Sequence, residues 1–135
     1  MLNVHLNDKR KLLTIMVTWE YPPRIIGDLA YLVEKTALGL VQQGMDTYVV
    51  TFDDWRTGFE EVNNIKVIRT VNTVHTHIST LTWMLTLNNE FIRVISDLLH
   101  KIQQPTVIHA FDWLTIPVAV TIKHVFKNPF VLTLN

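Results

Sequence analysis

The chain has no cysteine in its 135 residues, which excludes disulfides, thiol nucleophiles and thiolate metal sites together. Glycine is scarce, at four residues, and no Gly-x-Gly-x-x-Gly turn exists to take a dinucleotide pyrophosphate. Neither sign of charge dominates. Twelve acidic and twelve basic residues leave a formal net charge of zero, so the basic stripe typical of nucleic-acid binding is missing. The run Asp8-Lys9-Arg10-Lys11 is too short and too mixed to supply one. No apolar run approaches the roughly 20 residues of a membrane helix. Met1 to Asn7 also lacks the basic-then-apolar pattern of a secretory signal. These absences predict a soluble cytoplasmic protein that uses neither nucleic acid nor membrane.

What is present suits one globular domain. Apolar residues make up 48% of the chain, enough for a core, and the length is too short for two comfortable domains. Residues 12–17 form a short apolar run bounded by charges and prolines, as expected of a strand buried on both faces. From Asp28 to Gln43 the period changes to three and four, through Leu29, Val33, Ala37, Leu40 and Val41. Asp28 suits the N-cap of this helix and Gly44 its C′ position. Strands are predicted at 47–52, 65–71, 106–110 and 130–134, and segment 53–64 is predicted as a loop. A second irregular stretch, 72–80, precedes a helix whose stripe runs from Trp83 to Ile102 and should be core. A further helix, capped by Asp112, runs toward Phe126. Alternating strands and helices predict an α/β domain, a three-layer Rossmann-like parallel sheet of about five strands. The expected order is 3-2-1-4-5, with helices on both faces, right-handed crossovers and function at the carboxyl ends of the strands.

Three segments carry a more specific signal. The first is Trp19-Glu20-Tyr21-Pro22-Pro23-Arg24-Ile25-Ile26-Gly27-Asp28-Leu29-Ala30. The second runs from Leu40 through Gly44 to Thr51, and the third is Val107-Ile108-His109-Ala110-Phe111-Asp112-Trp113. In this order they resemble the N-terminal domain of glycogen and starch synthases and related retaining glycosyltransferases of the two-domain GT-B fold. With the closing strand, the likeness spans nearly the whole chain. It implies a single Rossmann-like domain over residues 1–135, part of the family's acceptor-side N-terminal domain, without the second, donor-binding domain. The complete enzyme would move glucose from a nucleotide sugar, ADP- or UDP-glucose, to an α-glucan. The chain alone would be inactive or nearly so. No metal or other cofactor is expected.

The resemblance also marks departures. The family's turn has two consecutive glycines; here the pair is Gly27-Asp28, and a carboxylate there repels phosphate. Synthases commonly place a lysine where Ile25 stands. Phe111 and Leu114 occupy positions of histidines, and Asn135 falls where a histidine often ends the fifth strand. Phenylalanine and leucine cannot hydrogen-bond a sugar hydroxyl as imidazole does.

The resemblance makes Arg24, Gly27 and Asp28 a candidate donor-phosphate or substrate loop. Trp19, Glu20, Tyr21, His109, Asp112 and Trp113 become candidate glycan-facing residues. Each also has a structural reading. Gly27 suits close backbone approach to phosphate, or a turn with positive φ. Arg24 suits an anion or glucan contact, or an exposed loop position. Glu20 and Asp112 suit an acid–base pair, but Asp112 also suits a helix cap. Trp19 and Trp113 can stack on sugar rings or anchor strand ends. His109 can serve a glycan hydroxyl or a backbone carbonyl. His75-Thr76-His77 has a two-ligand spacing but no third ligand nearby, which favours a solvated loop over zinc. A second class of function is a non-catalytic module that binds a glycan or a protein. A sheet ending after the fifth strand leaves an edge that a second copy, or a separate C-terminal-domain partner, would cover, and a homodimer is expected.

Overall fold

The computed structural model describes residues 11–134; the expectations placed on Met1 to Asn7 and on Asn135 lie outside the described residues. Among the described residues, six strands and three α-helices follow one another. They are β1 (Leu13–Thr18), α1 (Leu29–Gln42), β2 (Asp46–Phe52), β3 (Gly58–Val62), β4 (Ile65–Thr70), α2 (Thr80–Lys101), β5 (Thr106–Phe111), α3 (Ile116–Phe126) and β6 (Phe130–Thr133). A single 3-10 turn, Trp113–Thr115, leads into α3.

The sheet order is β3-β4-β2-β1-β5-β6. Its five parallel strands, β4-β2-β1-β5-β6, reproduce the expected 3-2-1-4-5 order. The sixth strand corrects the prediction of a loop over residues 53–64. β3 pairs antiparallel with β4, joined by Asn63 and Asn64. Both have positive φ, 54° and 64°, the conformation that a two-residue hairpin turn needs and that asparagine tolerates better than most residues.

β1 is buried along its whole length, and its alternation divides the core. Leu13, Ile15 and Val17 join one cluster with Phe91 and Ile95 of α2 and with Val118 and Ile122 of α3. Met16 joins another with Leu29, Val33 and Ala37 of α1 and with Val49 and Val67. The sheet is therefore covered on both faces, which explains why its central strands read as unbroken apolar runs. α1 ends at Gly44, whose φ of 88° is the left-handed conformation that favours glycine after a helix. A reciprocal Ser79–Thr82 capping box opens α2. The Trp83–Ile102 stripe is core as expected, with Leu87, Phe91 and Ile95 fully buried.

One buried polar residue ties the helical layer to the sheet's carboxyl edge. Asn88 of α2 donates to Met84 O at 2.8 Å and to Leu114 O at 2.7 Å, and accepts from Val118 N at 3.0 Å. Val118 is in the first turn of α3, where the backbone N–H has no partner within its own helix. Asn88→Ala should therefore cost about 2 kcal/mol, because it strands a buried donor and an acceptor. Urea denaturation measures this, and an unchanged midpoint would show that the clasp carries no stability.

Candidate functional site at the carboxyl edge

Because β1, β2, β4 and β5 are parallel, the loops that follow them gather on one edge of the sheet. β1 lies between β2 and β5, so the chain's winding reverses there, the place where such sheets form a crevice. The first and third signal segments supply loops here: 19–28 after β1, and 112–115 after β5.

Loop 19–28 is organised by Glu20, which is 1% exposed. Its carboxylate accepts hydrogen bonds from Ile26 N (3.0 Å), Gly27 N (3.2 and 3.3 Å) and Ala30 N (2.8 Å). Thr18 Oγ1 fixes its backbone by donating to Glu20 O at 3.0 Å. Glu20 thus occupies the anion-favouring start of α1, where the aligned N–H groups point. This corrects the expected role of Asp28, which already has helical torsions and makes no side-chain cap hydrogen bond. Glu20 rises from the end of β1 and satisfies those donors instead. The positive-φ expectation for Gly27 is also corrected. Its φ lies outside that region, and a Cβ there would meet only Glu20 Oε1, at 4.0 Å.

Arg24 lies back over Phe52, 4.6 Å from the ring centroid. It donates to Trp19 O at 2.9 Å and meets Asp54 at 3.4 Å. It is the only cation on the 19–28 and 112–115 loops, and it is already engaged. Tyr21 is buried, and its hydroxyl is pushed up to about 12 by that burial, then by Glu34, with Arg69 opposing. The Pro22–Pro23 peptide is cis. Trp19 is half-buried and meets Trp83 edge-on at 6.5 Å.

On the β5 side, Asp112 has φ 70° and accepts from Trp113 N at 2.8 Å. It caps the 3-10 turn, a correction to the expectation that it caps the long helix directly. Trp113 is 51% exposed and faces solvent at this edge. Glu20 and Asp112 are engaged with separate backbone groups, and no hydrogen bond joins them among the described residues. Phe111 and Leu114, where the resemblance places histidines, are both buried. They have become core.

His109 lies within β5, and its partner is a side chain rather than a backbone carbonyl. Its Nε2 is 2.8 Å from Thr133 Oγ1, and its ring stacks on Phe111 at 4.1 Å. Burial pushes this imidazole below its ordinary value. The unfolded chain takes up a proton near pH 6.5, while the folded chain resists it to lower pH. Stability should therefore be full above about pH 6.5 and decline as pH falls from there toward the lowered value. His109→Gln should flatten this part of a plot of urea midpoint against pH. Equal slopes in the two proteins would contradict the assignment.

Sequence reasoning missed the polar scaffold beneath these loops. Arg69, 5% exposed, pairs with buried Asp53 at 3.5 Å and with Glu60 at 3.0 Å. It also donates to Tyr21 O at 3.5 Å and to Pro22 O. Asp53 in turn accepts from Trp55 N and Arg56 N, at 2.9 and 3.0 Å. Arg69 shares an alternation with Ile65 and Val67, so an arginine on the core face of β4 was the available signal. His75 and His77 line a recess after β4, and no group of three or more metal-ligating side chains occurs among the described residues.

Fold and edge together define a class: a doubly wound α/β domain, whose fold matches a domain of a solved GT-B glycosyltransferase. A solved sucrose-phosphate synthase from Thermosynechococcus elongatus superposes with a TM-score of 0.74 at 19% identity. That match covers 93% of this chain and 33% of the synthase, and it carries the fold alone.

By sequence the chain is related to glycosyltransferases, glycogen synthase among them. It is 35% identical to an uncharacterised glycosyltransferase of Methanocaldococcus jannaschii over 120 residues, 89% of this chain and 30% of that protein. It is 27% identical to a glycogen synthase of Mycobacterium tuberculosis over 135 residues, 90% of this chain and 33% of the synthase. The chain thus spans about a third of the length of these relatives. No family model matches it. Among the described residues, no helix is long and apolar enough to cross a membrane.

Proposed function

We propose that the chain is the acceptor-side, N-terminal domain, or a fragment of it, of a glycogen or starch synthase-like glycosyltransferase. The complete enzyme transfers glucose with retention from a nucleotide sugar, ADP- or UDP-glucose, to an α-glucan in the cytoplasm. The observation that carries this reading is the meeting of loop 19–28 and the Asp112–Trp113 turn at the strand-order reversal. What these loops offer there suits a neutral glycan better than a diphosphate. Trp113 is exposed, Asp112 is half-buried, Asp28 is exposed and Arg24 is already bound. The donor's phosphates must therefore be held mainly by a second domain, on the same polypeptide or on a partner. This chain alone is inactive or nearly so.

A second reading is a non-catalytic module that binds a glycan or a protein. It is favoured by the Glu20 carboxylate against Gly27 N and by the burial of Phe111 and Leu114. On either reading the β6 edge, the last strand of the sheet among the described residues, offers a pairing surface. Val131 is 48% exposed and Leu134 66%, which supports pairing with a further strand or, as a homodimer, with a second copy.

The two readings separate by mass spectrometry of the endogenous protein, denatured and then native. The transferase reading expects a longer denatured chain, or a native complex with a larger partner. A denatured mass matching these 135 residues, alone or self-associated, would overturn it in favour of the module.

A further inference from the structure

A groove of about 300 Å³ runs along β4, between α1 and the β3 edge. Ile65, Val67 and Arg69 alternate onto the face of β4 that looks toward α1, but α1 packs chiefly on β2 and β1. The groove changes character along its length. Toward the amino ends of the strands its walls are apolar: Ile65, its β3 neighbour Val62, and Leu38 of α1. Toward the carboxyl ends they are polar: Tyr21, Arg69 and Glu34. Glu34 belongs to that end because α1 starts at the carboxyl edge, where Ala30 N donates to Glu20, and reaches Glu34 one turn before Leu38.

The polar end offers acceptors rather than a free cation. Arg69 is consumed by Asp53, Glu60 and the carbonyls of Tyr21 and Pro22. Glu34 is half-buried and makes no ion pair among the described residues. The Tyr21 hydroxyl makes no hydrogen bond among them either, and it is not sealed in. The enclosed unpaired side-chain atoms are those of Trp19, Thr51 and His77, so the phenol oxygen keeps its opening into the groove that Tyr21 lines. Burial and then Glu34 hold this phenol neutral up to about 12, with Glu60 adding to Glu34 and Arg69 opposing. The charge felt at the hydroxyl is therefore negative on balance, which disfavours an anion and favours a cation. Arg56 works against this, but from an exposed position where water and salt screen it. An ammonium carries three donors and no acceptor, which suits the Glu34 carboxylate and the phenol oxygen together. A methylene stem behind it suits the apolar end, where burial of each CH₂ contributes about 0.8 kcal/mol.

We infer that this groove binds a small alkylammonium compound, its head between Tyr21 and Glu34 and its stem along Val67 toward Leu38 and Ile65. The site goes beyond the transferase reading and does not rest on it. Tyr21 and Pro22 belong to loop 19–28, so the groove is a place from which an effector reaches the candidate site without entering it.

The test titrates the chain, labelled with 15N and with 13C at its methyl groups, with n-pentylamine, pentan-1-ol and pentanoate at neutral pH. Pentylamine should shift the methyls of Leu38, Val62 and Val67 saturably. Pentan-1-ol should bind about tenfold more weakly, as expected for a lost charged hydrogen bond, and pentanoate more weakly still. Glu34→Gln should weaken pentylamine about tenfold and leave pentan-1-ol unchanged. Tyr21→Phe, which keeps the buried ring, should weaken pentylamine by a smaller factor. Each variant is compared only while its amide spectrum stays native, and otherwise the three ligands on the unaltered chain decide alone. Pentanoate binding as tightly as pentylamine would overturn the inference in favour of an anion site at Arg56. Pentan-1-ol binding as tightly would overturn it too, because the groove would then be an apolar cleft indifferent to charge. So would the absence of any saturable shift at these methyls. None of these outcomes touches the transferase reading, which stands or falls on glucosyl transfer by the natural polypeptide.

Discussion

Glu20→Ala should cost about 3 kcal/mol of folding stability, a large share of the roughly 5–15 kcal/mol that a domain possesses. The carboxylate satisfies three backbone donors, but they are not equal. Ile26 and Gly27 are exposed, so water replaces much of what their N–H groups lose. Ala30 is fully buried, and its N–H, 2.8 Å from Glu20 Oε1, has nothing else to bond. The start of α1 also loses the negative group that its dipole favours. Glu20→Gln should fall between wild type and alanine, because its amide keeps one acceptor oxygen but turns an NH₂ toward a donor. Urea denaturation gives the magnitude, and hydrogen exchange over residues 25–31 gives the place. A loss below about 1 kcal/mol for alanine would mean that the loop holds its shape without the carboxylate.

Arg69→Met should cost more, about 3–5 kcal/mol, because it leaves the Asp53 carboxylate buried without its partner. The pair is nearly closed to water, with side chains 4% and 3% exposed. The Glu60 contact contributes little to this figure, since Glu60 is 40% exposed at its side chain. The two carbonyls that Arg69 serves, of Tyr21 and Pro22, lose their donor in the same step. Asp53→Asn added to Arg69→Met should recover part of the loss by removing the uncompensated charge. The amide oxygen can still accept from Trp55 N and Arg56 N. A double-mutant cycle in guanidinium chloride measures the coupling. If the double variant is no more stable than Arg69→Met alone, the cost lies in lost packing and lost backbone contacts rather than in the stranded carboxylate.

These two residues also mark where sequence reasoning stopped. The parallel strands, their order, α1 with its terminal Gly44 and the core stripe of α2 were legible because each rests on hydrophobic period and turn chemistry. β3 was not. Gly58-Phe59-Glu60-Glu61-Val62 is mostly exposed, so its alternation is weak, and only the Asn63-Asn64 turn betrayed a hairpin. At the site, the resemblance picked out loop 19–28 and the Asp112–Trp113 turn, which the fold brings to one edge. It could not show that Glu20, rather than Asp28, serves the start of α1. That depends on how the strand end approaches the helix in three dimensions, while capping rules look only at the adjacent residue. Asn88 and Asp53 escaped for a related reason. A polar residue within an apolar stripe becomes informative only once the backbone groups it satisfies are known.

The reading proposed above makes this chain the acceptor-side part of a glucosyltransferase. The most direct measurement follows the natural polypeptide, with any partner it carries, incubated with ADP- or UDP-glucose and maltoheptaose. Proton NMR of the anomeric region then reports both transfer and stereochemistry. The account predicts chain extension by α-linked glucose from at least one of the two α-configured donors. Extension with β-linked glucose, or no transfer from either donor, would contradict it.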